Sequence, residues 1–123
     1  MSSFVEVATQ FAEYYYNTFD SDRSGLAPLY RESSFMTFET NQHQGVKPII
    51  EKLTSLPFAK VAHRITTLDA QPAGASGSII VLVTGELLID DSEHPQRYSQ
   101  SFHLVPEAGS YYVLNDIFRL VYA

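Results

Sequence analysis

Cysteine is absent from the 123-residue chain, and with it go a disulfide framework, a thiolate nucleophile and a Cys-based zinc site. A reducing compartment suits such a chain. Basic residues are scarce: eight against fourteen acids leave a net charge of −6, so a phosphate backbone meets repulsion over most of the surface, which argues against nucleic acid as a partner. Long apolar runs are missing too. The longest, Ile79 to Val83, has five residues against the roughly 20 that span a bilayer, so a soluble protein without membrane insertion is expected. The N-terminal stretch MSSFVEVATQF carries an acid and no base and lacks the apolar centre of a leader; it predicts no secretory or transit signal and leaves cytosol or nucleus. What the chain does have is 45% hydrophobic residues, enough to bury a core, at a length that fits one domain over 1–123.

Ser3-Phe4-Val5-Glu6 has the form of a capping box, in which a hydroxyl and a carboxylate each satisfy a free amide at a helix start. From there Phe4, Ala8, Phe11, Tyr15 and Phe19 recur at helical spacing and predict a helix to about Phe19. Asp20-Ser21-Asp22 offers caps for a short second helix with Leu26, Leu29 and Tyr30 inward. Phe35 to Glu39 reads as a strand ending in a polar turn, Thr40 to Gly45. Pro48 suits the start of a third helix with Ile49, Ile50 and Leu53 on its buried side, and Pro57 ends it at Leu56. From His63 on the pattern changes to strands over about 62–71, 78–90, 97–105 and 111–122, joined near Pro72-Gly77, Ser92-Pro95 and Pro106-Gly109. Helices first and strands later predict an α+β fold: a mostly antiparallel sheet with about three helices, all in the N-terminal half, on one face.

The strands do not alternate apolar with polar. Val81, Val83, Leu87 and Ile89 point one way and Ile80, Leu82 and Leu88 the other; near the C-terminus Leu114, Phe118 and Leu120 oppose Val113, Ile117 and Val121. Both faces therefore need cover. Helices supply one, and a second copy of the chain is the common solution for the other, which predicts a two-fold homodimer.

Several local groupings invite a function, each beside a plainer reading. Asp90-Asp91-Ser92-Glu93 sums three carboxylates for a cationic partner, or forms a solvated hairpin turn. His94 beside it has no metal-ligand spacing, and no metal or other cofactor is expected. Phe38 with Glu39 offers an aromatic and an acid to a partner, or a core phenylalanine beside a surface acid. His63 would need an acid such as Asp69 or Asp116 to act as a general base, and the spacing does not pair them; His43, His94 and His103 offer less still. Gly74-Ala75-Ser76-Gly77 lacks the lysine of a phosphate loop, and no serine occupies a nucleophile elbow. Phe4, on the first helical turn, either staples the helix or waits for a partner. No catalytic residue emerges.

The run Tyr15-Tyr16-Asn17-Thr18-Phe19-Asp20-Ser21-Asp22-Arg23 strongly resembles the nuclear transport factor 2 family. Leu29-Tyr30, Thr37-Phe38-Glu39, Gln44-Gly45, Ile50 through Phe58, His63-Arg64-Ile65-Thr66, Gln71-Pro72 and Asn115 through Leu120 continue the resemblance in order across most of the chain. Phenylalanine at 4 and 38, where animal members resemble a tryptophan form, looks like the fungal pattern.

The resemblance implies a cone-like curved sheet around an apolar cavity and a sheet-to-sheet homodimer with Leu82 and Ile117 at the contact. It implies a carrier that brings GDP-bound Ran into the nucleus. A phenylalanine of Ran would enter a pocket lined by Phe38, Leu56, Phe58, Ile89 and Phe118, and basic neighbours would meet Glu39, Asp90, Asp91 and Glu93 on its rim. Phenylalanine-glycine repeat nucleoporins would bind weakly near Phe4, and the carrier would work in cytoplasm and nucleus, concentrated at the pore. A rival from another class is a small cavity enzyme of isomerase or dehydratase type on the same fold, for which His63 and Asp116 are the residues to inspect.

Overall fold

The computed structural model describes residues 3–57, 59–74, 76–90 and 93–121. Helix α1, Phe4–Ser21, begins at Ser3, whose hydroxyl oxygen accepts the Glu6 amide at 3.1 Å. Half of the expected box is seen: the Glu6 carboxylate takes the Ser3 hydroxyl at 3.4 Å. Asp22 closes α1 by donating its amide to Thr18 at 2.7 Å, and its carboxylate then caps the next turn through the Ser24 amide. That next segment, Arg23–Leu29, is a 3-10 helix, and Tyr30 leaves it to open the sheet.

Strand β1 runs Tyr30–Phe38 and folds back as β2, Asn41–Gln44. The polar turn expected over Thr40 to Gly45 is thus mostly strand. Its side chains gave no apolar alternation because the strand is short, largely exposed and at the sheet's edge. Helix α2, Val46–Thr54, follows with Pro48 in its third position, still within the turn whose amides lack helical acceptors, and it stops two residues short of Leu56.

Strands β3 (Val61–Pro72), β4 (Ile79–Ile89), β5 (Gln96–Glu107) and β6 (Ser110–Leu120) complete one open, curved six-stranded sheet of order β2-β1-β6-β5-β4-β3. Every neighbour pair is antiparallel except β1 with β6. The α+β reading, with three helices ahead of the long strands, holds. Among the described residues no helix is long and apolar enough to cross a membrane.

Helix α1 lies over the concave face and buries Phe11, Tyr15 and Phe19 against it. Phe102 meets the rings of Phe11 and Tyr15 edge-on at centroid distances of 5.1 and 4.9 Å, a favoured aromatic geometry. The expected second face is real: Ile80, Leu82 and Ile117 project from the convex side, each 44–51% exposed. One assignment on it was wrong. Val113 is fully buried while Ile117 is exposed, because the pairing of β6 with β5 skips Leu114, and one extra residue reverses which side chains face inward.

Candidate functional site

One end of the sheet gathers the end of β1, the ends of β4 and β6, and the starts of β3 and β5. Below this end lies a largely enclosed hollow walled by Phe19, Leu53, Val61, His63 and Leu87, with Phe38 and Phe118 among its lining and Asp116 on its inner side. Phe118 stacks on Phe38 at 4.7 Å and on Tyr98 at 5.6 Å, so three rings form one pile. Lys52 of α2 sets its ammonium 5.6 Å from the Phe38 ring centre, a cation–π contact that holds the outermost ring. The chain's own rings fill most of the space. About 10 Å³ remains, roughly the room of one water, so the open cavity expected from the resemblance is narrower than foreseen.

Two of the acids expected at the rim sit at strand ends in left-handed backbone. β1 ends at Phe38, and Glu39 turns into the left-handed region at φ 62°; that answers how neighbours on a strand serve one site. Its carboxylate accepts the Leu120 amide at the end of β6. Asp90, just beyond β4, is also left-handed at φ 50°, and its Oδ1 accepts the amides of Ala59 and Lys60 at 2.9 and 2.7 Å. Side-chain residues seldom take this conformation, and each such residue costs on the order of 1 kcal/mol, which the surrounding hydrogen bonds must offset. Glu39 is thus tied to the end of β6, and Asp90 to the connection that leads into β3. Glu93 is exposed in the β4–β5 connection at the same end. Asp91 and Phe58 lie outside the described residues. Leu56 and Ile89 are half-buried against the core, and the wall is made by Leu53 and Leu87 nearby.

The floor is polar: Asp116, which the sequence singled out only for inspection, is the centre of a hydrogen-bond network that the sequence reading missed. Asp116, 1% exposed, accepts from Tyr30 (2.8 Å), Tyr15 (3.2 Å) and the Gln100 amide (2.7 Å), and Tyr16 donates to Gln100 at 2.9 Å. Burial pushes the Asp116 carboxyl up to about 6, against the pull of these three donors. Burial likewise raises Tyr15, Tyr16 and Tyr30, and takes Tyr98 to about 12. His63 is held elsewhere: its Nδ1 meets Asp20 Oδ1 at 2.6 Å, its amide donates to Asp20 Oδ2 at 2.9 Å, and its ring stacks on Tyr16 at 4.4 Å. Its partner is therefore neither Asp69 nor Asp116. No local spacing reveals this pair, since the two residues are 43 apart.

Chemically, the two titratable groups that line the hollow are both engaged: Asp116 accepts three hydrogen bonds, and His63 Nδ1 is paired with Asp20. What the geometry offers is a ring pile at the sheet's end, with the Lys52 ammonium over its outer ring and with Glu39 and Asp90 at strand ends on the same side of the sheet. Such a fold and site define an α+β domain with a largely enclosed hollow at one end of an open, curved sheet.

The family model described as the nuclear transport factor 2 (NTF2) domain matches residues 7–120, and the chain belongs to that family. A protein named nuclear transport factor 2 from Candida albicans is 67% identical over 120 residues, spanning 98% of this chain and 97% of that one. A solved structure of nuclear transport factor 2 from Cryptosporidium parvum superposes with a TM-score of 0.91 at 40% identity, covering 96% of this chain and 94% of that one. A putative dehydratase of the NTF2-like family from Streptomyces avermitilis has a TM-score of 0.83 at 10% identity, covering 97% and 96%, and shares the fold alone.

Proposed function

We propose that the protein is a non-enzymatic, homodimeric nuclear import carrier for GDP-bound Ran. Its relatives named nuclear transport factor 2 support a role in nuclear transport. The observation that carries the finer reading is the pair Glu39 and Asp90, two acids held in left-handed backbone at strand ends beside an aromatic pile. Glu39 is the costlier of the two, since glycine, asparagine and aspartate tolerate that conformation better than glutamate. Fixed acids set the orientation and encounter rate of a basic partner, and an aromatic anchor supplies buried area.

A void of about 10 Å³ does not admit a phenylalanine side chain. The Ran ring therefore docks by displacing Phe38 from Phe118 and taking its place in the pile, exchanging one stacked contact for another. Phe38 is the ring with the fewest restraints, half-exposed at the end of β1 and held by Lys52. Nucleotide selectivity follows because a switch segment moves with the γ-phosphate and takes its ring out of reach.

Leu82 and Ile117, exposed on the convex face, form the contact with a second copy; the face is bordered by both Asp69 and Arg119, so two copies do not repel as borders of one sign would. Phe4, 40% exposed with Val5 beside it on the first turn of α1, is the weak docking point for phenylalanine-glycine repeats of nucleoporins. Such a carrier moves between cytoplasm and nucleus and is concentrated at the pore.

Pull-down of Ran loaded with GDP or GTP tests the reading. GDP-loaded Ran is retained and GTP-loaded Ran is not, and Glu39→Lys abolishes retention while the protein elutes at the wild-type size. Equal retention of both nucleotide forms, or full retention by the variant, overturns it.

A further inference from the structure

The open sheet ends in β2 on one side and β3 on the other, and β3, at 12 residues, is by far the longer edge. Antiparallel pairing alternates residues that bond across to the neighbour with residues whose amide and carbonyl point away from it. Ala73 donates its amide to Ser78 at 2.8 Å, so in the unbroken register that leads up to it Thr67, Asp69 and Gln71 bond to β4, while Leu68, Ala70 and Pro72 point outward. Before the bulge at Thr66 the outward set is Val61, His63 and Ile65, and there α1 closes the edge: the His63 amide donates to Asp20 Oδ2 at 2.9 Å. The Leu68 and Ala70 amides have no such partner among the described residues.

Helix α1 runs back along the same strand. Tyr16 stacks on His63 near its start, and Phe11 meets Phe102, whose row across the sheet continues through Val81 to Ala70. Phe4, about two turns earlier, therefore lies toward the Pro72 end of β3, where it and Val5 are 40% and 47% exposed. We propose that the outer edge of β3 from Thr67 to Pro72 takes an extended peptide as a further strand, and that its occupant is a phenylalanine-glycine repeat, an inference that rests on the nucleoporin reading above.

The two sides of the edge set the chemistry of that occupant. On the concave side Leu68 and Ala70 are half-buried with Phe4 and Val5 nearby, so every second residue of an added strand meets apolar surface; on the convex side the exposed Asp69 and Gln71 suit small neutral residues and repel acids. A phenylalanine followed by glycine meets both demands. The hold is weak by construction, because the Thr66 bulge and Pro72, which has no amide, confine the free stretch to two donors.

Amide hydrogen exchange of the full chain, with and without a neutral synthetic phenylalanine-glycine repeat peptide, tests the mode of binding. The peptide slows exchange at Leu68 and Ala70, and the same peptide N-methylated at its amides does not bind. Ala70→Pro removes one outward donor, leaves the bonds to β4 in place and weakens the peptide roughly fivefold, the loss of one hydrogen bond. Binding that leaves those two amides unprotected, survives N-methylation or is equal in Ala70→Pro overturns strand addition and leaves docking near Phe4 standing. Protection of both amides that rises with protein concentration before peptide is added means that a second copy holds the edge, and overturns it too. No binding of the peptide at millimolar concentration overturns the nucleoporin reading and this inference with it. If the proline variant does not fold, wild-type exchange and the N-methylated peptide decide.

Discussion

Asp116 shows what a single residue contributes. A carboxylate on the inner side of the hollow, fed by two tyrosines and a glutamine, orders the floor, yet its charge sits where water does not reach. With its carboxyl at about 6 against an unfolded value near 3.8, the native state binds a proton that the unfolded chain has already released over about pH 4 to 6. Stability from this group is therefore present below that window and falls as pH rises through it. Relative to Asp116→Asn, urea unfolding of the wild type shows about 1 kcal/mol more stability at pH 5 than at pH 7.5. Parallel profiles would remove Asp116 as the cause. Residues of this kind were the least legible in the sequence. Tyr15 was visible as part of an apolar stripe, but nothing in the order of residues says that its hydroxyl meets Tyr30 and Asp116, 15 and 101 positions away. The Asp20–His63 pair was hidden for the same reason. Glu39 and Asp90 could be read as acids near an aromatic, but not as left-handed residues, because that conformation is imposed by where their strands end.

Among elements, the long strands were readable nearly to their ends, since β-branched runs broken by proline and glycine clusters have few other interpretations. The bulges were not. β3 pairs Ile65 with Gly85 and Thr67 with Thr84, skipping Thr66, and the side of every later residue depends on that one extra unit. Gly85 marks the site physically: a Cβ there would overlap the Arg64 carbonyl oxygen and press on the Tyr98 ring. Gly85→Ala is expected to destabilise the fold by about 1–3 kcal/mol, read from the urea midpoint, because backbone rather than a flexible side chain must move. An unchanged midpoint would mean that the strands are less closely spaced there. β2 escaped notice because its residues, Asn41 to Gln44, carry no apolar signal; edge strands need none.

For the whole molecule, the decisive pattern was already in the residue order: a strand apolar on both sides cannot belong to a sheet with one wet face. The structure leaves Ile80, Leu82 and Ile117 uncovered after α1 has taken the concave side. Leu82→Glu sets a carboxylate in the middle of that surface. On the homodimer reading the variant is expected to sediment as a monomer at concentrations where the wild type pairs, with near-wild-type helix content, since the side chain is already largely in solvent within one copy. An unchanged dimer would move the contact to another face. The hollow was legible as a place but not in its size, because its volume is set by how three rings stack, which composition does not record.

Glu39 and Asp90 each tie one carboxylate oxygen to backbone amides. On the carrier reading, grip and scaffold thereby share one carboxylate, so any load that a partner puts on it is felt at the tail of β6 or at the turn that launches β3. Substitutions meant to adjust how firmly cargo is held will shift the melting behaviour as well, and a revertant that restores the charge at a neighbouring position without restoring the anchoring bond will recover only the encounter, not the hold.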